Sequence, residues 1–482
     1  MSLTRQIYLW HRYLGIALCL FIAMWFASGI VLMYVGYPSL DDDVRLAGLP
    51  VFDTDAGLQP PWAIVERYGD VEFLRLNAAL GRPAYHLRRN GVWRSVDAAT
   101  GEPLEPAAQD LEAAARRHAR TEVIALEAVE VDQWTVPGRF DAYRPLVRAR
   151  MADGAGTWLY LSASTGEIVQ TTTRFERGWN WVGAVPHWIY PWQLRQHPEL
   201  WRQVVIWLCV PAIALIITGA LVGIWRLRVQ RRYKGGRMTP YHGWQRWHHI
   251  LGIICVVFVF TFMVSGLFSM NPGRVFTSPA PDAEDTASWA DGPLITEGAV
   301  TPAALIAAAP NDLRELQWDR QAGVPLVHLR GTHESGVKQA DGSLFEPEAD
   351  ALITRAKALV SDGTINDAVI LTEYDHYYYA RRNDRPLPIL RLRFDDPAGT
   401  TLYINPKTAA IESHINRRDR WRRWLYNGLH SLDFPVLWER RPLWDFVVLS
   451  LSLAGLAFSL TGVAIGWQRL TSRTGGRRRY RG

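Results

Sequence analysis

Four long apolar runs, separated by two long polar segments and a short basic connector, dominate the hydrophobic pattern of this 482-residue chain. The apolar runs are about 13–36, 204–225, 250–270 and 443–467. Each exceeds the roughly 18 predominantly apolar residues that identify a membrane-spanning helix. The pattern therefore predicts four transmembrane helices and two large regions outside the membrane.

Within the polar segments, short helical stretches are followed by strands that alternate apolar and polar positions. Helices are predicted from Pro61 onward and over 107–118, 302–309 and 348–360, and each strand set ends in a turn such as 164–167. Each unit is therefore predicted to be one helix followed by a small antiparallel sheet. The stretch 279–298, rich in Pro, Ala, Asp and Gly, predicts a linker with little regular structure.

Basic residues beside the apolar runs predict the orientation. The connector between the second and third runs has no acidic residue and holds Arg228, Arg231, Arg232, Lys234 and Arg237, and Arg469 begins an arginine-rich tail. Because such residues stay on the cytoplasmic side, the connector and both termini are predicted to be cytoplasmic. The net charge of +6 comes largely from these flanks. It indicates membrane lipid, and not nucleic acid, as the anionic partner.

These observations predict a membrane α-helical plus α+β protein. Its predicted parts are transmembrane helices at 1–36, 201–228, 247–270 and 441–468, outer regions at 37–200 and 271–440, a cytoplasmic basic loop at 229–246 and a cytoplasmic basic tail at 469–482.

The second half of the chain repeats the first. Residues 247–271 match residues 10–34 without a gap at an offset of 237 positions, which pairs His11 with His248. A second register, at an offset of 243 positions, pairs His187 with His430. Each half is helix, outer region, helix in the same orientation, so the halves are predicted to be parallel repeats about an axis along the membrane normal.

Four histidines are both repeated and located at membrane ends: His11 with His248 on the cytoplasmic side, and His187 with His430 on the outer side. Across a pseudo-twofold axis, each pair offers two imidazoles to one cofactor, the arrangement that holds b-type haem in helical bundles. The sequence thus predicts two b-type haems. The alternative is that these histidines are interfacial anchors. His249 and His242 compete with His248 for the inner site.

Other residues near these histidines are candidates for supporting roles. Six tryptophans could flank a porphyrin: Trp10, Trp247, Trp181, Trp424, Trp201 and Trp444. Five arginines could pair with its carboxylates: Arg12, Arg246, Arg202, Arg422 and Arg423. Interfacial aromatic belts and snorkelling arginines are the commoner explanation for such residues. The stretch 374–379, with four tyrosines, predicts packed aromatics, with a substrate site as the alternative.

The two helix openings WHRYLG (10–15) and WHHILG (247–252), the Thr-Gly pairs at 218–219 and 461–462, and the turns closing the outer units resemble the PepSY-associated transmembrane proteins of the bacterial inner membrane. The resemblance covers nearly the whole chain. It implies a multi-pass inner-membrane protein with periplasmic pairs of PepSY-like units. In that family some members are haem-containing reductases of ferric siderophores, and the family histidines fall on His11, His248, His187 and His430.

The resulting hypothesis is a dihaem reductase that moves electrons across the membrane to a periplasmic ferric siderophore or other ferric chelate, for iron uptake. The chain has no flavin or dinucleotide fingerprint, so the electron donor is expected to be a separate, unknown molecule. The alternative is a non-enzymatic module whose PepSY domains bind a peptide or protease. A transporter is disfavoured because no Asp or Glu lies within the cores of the predicted helices, where coupled transporters usually place one.

Overall fold

The computed structural model describes residues 2–52, 57–277, 283–309, 311–360, 362–380 and 385–478. The chain divides into two compact units. We call them the membrane unit, comprising Met1–Tyr37, Gly178–Thr277 and Arg418–Gly482, and the sheet unit, comprising Pro38–Arg177 and Ser278–Arg417. Both units are therefore assembled from non-contiguous parts of the chain.

The α-helices run in chain order as follows: α1 (Leu3–Tyr34), α2 (Asp42–Ala47), α3 (Pro61–Tyr68), α4 (Ala108–Ala119), α5 (Arg174–Asn180), α6 (Ala184–Trp188), α7 (Trp192–Arg195), α8 (Pro198–Arg226), α9 (Gly243–Ser269), α10 (Ala283–Ala290), α11 (Pro302–Ala307), α12 (Ala349–Leu359), α13 (Arg417–Arg422), α14 (Leu429–Ser431), α15 (Pro435–Trp438) and α16 (Arg441–Arg478). Four of them, α1, α8, α9 and α16, are long and apolar enough to cross a membrane.

The four long helices form the membrane unit. Helices α8 and α16 each pack against both α1 and α9, which closes a four-helix bundle. The buried centre is apolar and includes Ile22, Phe26, Cys209 and Val259. Short helices complete the bundle at one end, where α6 packs on α1 and α14 packs on α9. The prediction of four membrane helices is confirmed in length and composition.

In the described residues of the sheet unit, the strands build three antiparallel sheets. They are β1 (Phe73–Asn77), β2 (Ala84–Arg89), β3 (Val92–Asp97), β4 (Pro103–Leu104), β5 (Val123–Val129), β6 (Leu146–Met151), β7 (Trp158–Ser162), β8 (Ile168–Thr172), β9 (Leu313–Gln321), β10 (Val324–Gly331), β11 (Ser335–Gln339), β12 (Ile365–Leu371), β13 (Ile389–Phe394), β14 (Thr401–Ile404) and β15 (Ile411–Ile415). Two sheets have four strands each, β5 to β8 and β12 to β15, and the third has seven. The protein is thus a membrane α+β protein.

The seven-stranded sheet differs from the separate small sheets that the sequence pattern predicts. Its order is β11-β10-β9-β1-β2-β3-β4, so β1 of the first outer region pairs with β9 of the second. The register places Leu76 opposite Leu316, and both side chains are fully buried. Pairing these strands buries two edges that would otherwise expose unpaired backbone groups. Local periodicity carries no information about a partner 240 residues away.

One predicted linker contains a helix. Residues 278–282 lie outside the described residues, but α10 follows directly. Trp289 of α10 is 4% exposed and packs in the core of the β12 to β15 sheet with Leu352 and Leu402. Its indole nitrogen donates to the carbonyl of Ala409 at 3.1 Å. A single buried tryptophan therefore orders a stretch whose composition favours a loop.

A buried ion cluster joins different elements inside the sheet unit. Glu315 on β9 is fully buried and accepts two hydrogen bonds from the Arg45 guanidinium of α2, at 2.7 and 2.9 Å. Asn77 donates to both Glu315 and Glu167 at 3.0 Å, and Arg75 donates to Glu167 at 2.5 Å. Both carboxylates are therefore paired, as buried charges must be.

The cluster holds its carboxylates in the ionised form. Burial alone would raise the pKa of Glu167, but the positive charge of Arg75, with His86 and Arg45, outweighs it and lowers the pKa to about 2. The pKa of Glu315 is also lowered, because its hydrogen bonds and charge pairing with Arg45 outweigh the effect of burial. The cluster therefore stabilises the fold only while Glu167 and Glu315 are ionised.

Candidate cofactor site

The membrane unit brings the two cytoplasmic-side histidines of the sequence prediction together. His11 lies on α1 and His248 on α9, two helices joined through their shared neighbours. Their ring centroids are 6.2 Å apart and the ring planes are inclined by 37°. The other two histidines lie on the short helices at the opposite end of the bundle. There the centroids of His187 on α6 and His430 on α14 are also 6.2 Å apart, with an inclination of 56°.

The two pairs are widely separated along the bundle. Nδ1 of His187 lies 3.2 Å from the Ser28 hydroxyl, so the second pair is anchored seventeen residues along α1 from His11. At 1.5 Å per residue, this is about 25 Å, close to the thickness of a bilayer core. The bundle therefore carries one histidine pair near each of its ends.

Hydrogen bonds at Nδ1 orient all four rings. Nδ1 of His11 lies 3.2 Å from the carbonyl oxygen of Leu215, and Nδ1 of His248 lies 2.9 Å from the hydroxyl oxygen of Thr461. That hydroxyl donates to Phe458, which leaves its oxygen to accept from the ring. Because these acceptors require a proton on Nδ1, the neutral rings carry their lone pair on Nε2.

The pair formed by His187 and His430 follows the same rule. Nδ1 of His187 lies 3.1 Å from the carbonyl oxygen of Trp25, and Nδ1 of His430 lies 3.2 Å from that of Phe262, 237 positions later. The hydroxyls of Ser28 and Ser265 lie 3.2 Å from the same two nitrogens. Metal-bound histidines commonly use their second nitrogen in this way, which fixes the tautomer and the ring direction.

A glycine faces each imidazole. A Cβ added at Gly219 would lie 2.7 Å from Cε1 of His11, and one at Gly29 would lie 3.1 Å from Cε1 of His187. At Gly266 and Gly462 the corresponding distances to His430 and His248 are 3.4 Å. Any other residue at Gly219 would therefore push directly on the His11 ring. All four glycines lie in pairs that recur in the two halves of the sequence, Ser28-Gly29 with Ser265-Gly266 and Thr218-Gly219 with Thr461-Gly462. Helix packing is the commoner reason for such glycines.

A cavity of about 400 Å³ surrounds the first pair. His11, His248 and Gly219 line it, together with the apolar side chains of Ile16 and Val256. Its remaining lining includes the polar side chains Arg5, Tyr8, Arg12, Tyr241, Gln245 and Arg469. This is an apolar chamber with convergent polar groups, the usual composition of a cofactor site.

His249 and Arg12 are placed differently from the paired rings. His249 lines the cavity, but its Nε2 lies 2.9 Å from the carbonyl oxygen of Gly223 and its ring contacts Tyr241 edge-on. The ring that lies beside His11 is that of His248. Arg12 also lines the cavity, with its guanidinium 4.9 Å from the ring centroid of Tyr13.

The predicted flanking tryptophans and arginines take varied positions. Trp10, Trp247 and Trp181 are more than half exposed. The indole nitrogens of Trp201 and Trp444 donate to backbone carbonyls at 2.9 Å. Arg202 pairs with Glu199 and Arg423 donates to the carbonyl of Asp433. Such contacts are typical of side chains that anchor a helix at the membrane interface or bind backbone carbonyls near helix ends.

The aromatic stretch 374–379 packs within the sheet unit. Tyr378 is fully buried and stacks on Tyr403 at 4.9 Å, and the Tyr403 hydroxyl donates to Asp375 at 2.8 Å. An equivalent bond joins Tyr160 to Asp132, each 243 positions earlier, at 2.7 Å. Burial and the neighbouring Asp375 raise the pKa of Tyr403. Packing and a repeated hydrogen bond account for this cluster.

The ring separation in both pairs is close to that of two imidazoles bound to one metal ion. Two imidazoles bound to one metal ion along a line have ring centres about 6 Å apart, because the nitrogen lies about 2 Å from the metal and the ring centre about 1 Å beyond. Within the described part of the chain, no group of three or more His, Cys, Asp or Glu side chains is placed to hold a metal ion. A haem needs only two protein ligands, since the porphyrin supplies the other four.

The fold and the site together define a class: a multi-pass membrane α+β protein with a histidine pair at each end of a four-helix bundle. Comparison with known families agrees with this class. The family model described as the PepSY-associated TM region matches residues 8–316, and the chain belongs to this family. No curated protein matches the chain.

Proposed function

We propose that the protein is a dihaem b-type membrane reductase that transfers electrons from the cytoplasmic side to a ferric siderophore or another ferric chelate on the periplasmic side. The observation that carries the proposal is the pair of 6.2 Å imidazole separations at opposite ends of one bundle. Bound haem would supply one-electron redox chemistry, and the two imidazoles that hold it would tune its potential.

The residues of the chain supply placement and environment. His11 and His248 would hold the inner haem, and His187 and His430 the outer one. The Nδ1 hydrogen bonds keep each ring directed before any cofactor arrives, and the facing glycines leave room beside it. Between the two pairs lies the apolar core of the bundle.

The membrane orientation is part of the proposal. The cations of the loop between α8 and α9 support a cytoplasmic location for the His11 end, in an inner membrane with both termini inside. The two parallel repeats and periplasmic PepSY-like units belong to the same proposal. They are supported by matched contacts at positions 237 apart, such as those of His187 with Trp25 and His430 with Phe262.

A pyridine haemochrome assay on the purified, full-length protein tests the proposal. We expect two b-type haems per chain, a Soret band, and an α band that appears on reduction with dithionite and disappears on addition of a ferric chelate. A protein with no haem would refute the function and favour the peptide-binding alternative. A protein whose haem stays reduced when a ferric chelate is added would refute the reductase activity.

A further inference from the structure

The residues that precede His430 differ in charge from the corresponding residues that precede His187. The register of 243 positions aligns Arg418, Arg420, Arg422 and Arg423 with Phe175, Arg177, Trp179 and Asn180. The second half thus has four arginines where the first has one. This stretch precedes His430, and the corresponding stretch precedes His187.

Membrane insertion does not explain these cations. In the orientation proposed above, the stretch lies on the outer side, and positive charge is favoured on the cytoplasmic side of a membrane protein. Two of the four arginines hold the protein itself together, since Arg418 donates to the carbonyl of Thr277 and Arg423 donates to the carbonyl of Asp433. Arg422 is exposed, so its guanidinium can meet a ligand that approaches from outside the protein. Arginine combines a permanent positive charge with a planar face that stacks on aromatic rings, which suits an anionic aromatic ligand.

The structure connects this cluster to His430 through one aromatic side chain. The Arg422 side chain is exposed, and its guanidinium lies 5.8 Å from the ring centroid of Tyr426. The Tyr426 ring in turn lies 5.6 Å from the ring of His430, inclined by 34°. Tyr426 lies in the segment Arg423–Gly428, which is a π-helix, and π-helical turns are frequent at functional sites.

The first half has different residues at both of these positions. The position that corresponds to Tyr426 is Gly183, which has no side chain, and the position that corresponds to Arg422 is Trp179. A Cβ at Gly183 would meet Val31 at 2.8 Å, so the backbone of the first half packs tightly against α1 where the second half presents a tyrosine. The two histidines of the outer pair therefore have different surroundings on their surface side.

We propose that Arg422 and Tyr426 form a docking edge for a negatively charged aromatic ferric chelate of the tris-catecholate type, and that electrons leave the protein on the His430 side. The inference rests on the proposed reductase function. Three doubly deprotonated catecholates outweigh the charge of one ferric ion, so the chelate is anionic, and its rings stack on tyrosine and guanidinium faces.

The electron transfer is balanced as one electron per chelate. One electron would pass from a reduced haem held by His187 and His430 to the chelate, which would oxidise the haem iron from ferrous to ferric and reduce the ferric ion of the chelate to ferrous. No bond to either iron forms in this step, and no proton needs to move with the electron. The docking edge supplies only position and electrostatic attraction.

Binding of a redox-inert analogue tests the edge separately from catalysis. Gallium(III) tris-catecholate has the charge and shape of the ferric complex and cannot accept the electron. We expect Arg422→Glu to weaken its binding to the full-length protein about tenfold at low salt, measured by equilibrium dialysis, with a smaller difference at high salt. Tyr426→Leu is expected to weaken binding severalfold, and Tyr426→Phe to restore most of it.

Two controls accompany these variants. Arg440→Glu reverses the charge of another exposed arginine, just before α16, and should change binding less than twofold. A neutral gallium tris-hydroxamate should bind wild type and Arg422→Glu equally. Each variant is compared only if its haem spectrum and its elution from a sizing column match those of the wild type.

Three outcomes would overturn the docking edge: unchanged binding in Arg422→Glu, equal weakening by Arg440→Glu, or equal weakening of the hydroxamate complex. A shift in the midpoint potential of one haem without a change in gallium binding would instead assign Arg422 to a porphyrin carboxylate. A wild-type protein without haem would refute the proposed function, whereas gallium binding would still report on the edge.

Discussion

Replacing Gly219 with alanine is expected to remove the inner haem and to leave the outer one in place. The new Cβ would lie 2.7 Å from Cε1 of His11, whereas the equivalent substitution at Gly462 would place it at 3.4 Å from His248, an ordinary contact. To regain that separation, the His11 ring must move by about 0.7 Å. Metal-ligand distances in a formed site vary by only about 0.2 Å.

The His11 ring has little freedom to make this movement. Its Nδ1 is held 3.2 Å from the carbonyl oxygen of Leu215 on α8, the same helix that carries Gly219. Adding a methyl group to a packed site of this kind costs about 1–3 kcal/mol, which corresponds to about 5- to 150-fold in haem affinity. The cost applies to one of the two pairs only.

The assay is the haem-to-protein ratio of the purified variants, combined with a redox titration of the α band. Gly219→Ala should fall from two haems per chain to about one and should lose one component of the titration, whereas Gly462→Ala should keep both. Two haems with unchanged potentials in Gly219→Ala would refute the reasoning. So would equal loss in the two variants, because the structure gives only one of them a steric conflict.

Three further predictions address the outer pair and the sheet unit. His430→Ala should lose the outer haem and keep the inner one in a pyridine haemochrome assay, whereas His197→Ala, at an exposed histidine, should keep both. Glu315→Gln should destabilise the protein by about 3–5 kcal/mol in chemical denaturation, because it removes the buried carboxylate that pairs with the guanidinium groups of Arg45 and Arg330. Glu102→Gln, in an exposed ion pair, should cost less than about 1 kcal/mol. Glu167 has a pKa of about 2 in the folded protein against 4.5 unfolded, so it contributes about 3 kcal/mol of stability above pH 4.5, and this contribution is lost as the pH falls toward 2. Glu167→Gln should lack this acid-dependent loss of stability. An identical dependence of stability on pH in both proteins would contradict the assignment.

Much of the architecture could be predicted from the sequence, because the relevant signals are local or periodic. A helix that spans a bilayer needs a long apolar run, so the positions of α1, α8, α9 and α16 follow from composition alone. The two repeat registers predicted which histidines correspond, His11 with His248 and His187 with His430. In the structure, each of these pairs has neighbouring rings.

Other features depend on side chains and strands that are distant in sequence. Consecutive residues on a helix point about 100° apart. The doublet His248-His249 therefore cannot reveal which ring faces α1. Packing decides this, since His249 meets the Gly223 carbonyl on α8 while His248 lies beside His11.

The sequence by itself determined the four long apolar helices, the recurrence of sequence motifs in the two halves, and which histidines correspond, because these features follow from run length and repetition. Only the tertiary structure decided that β1 pairs with β9, that Nδ1 of each paired histidine is anchored, and that Tyr426 stands beside His430. Each of these is a contact between segments brought together by folding, and its free energy depends on neighbours that no local pattern specifies.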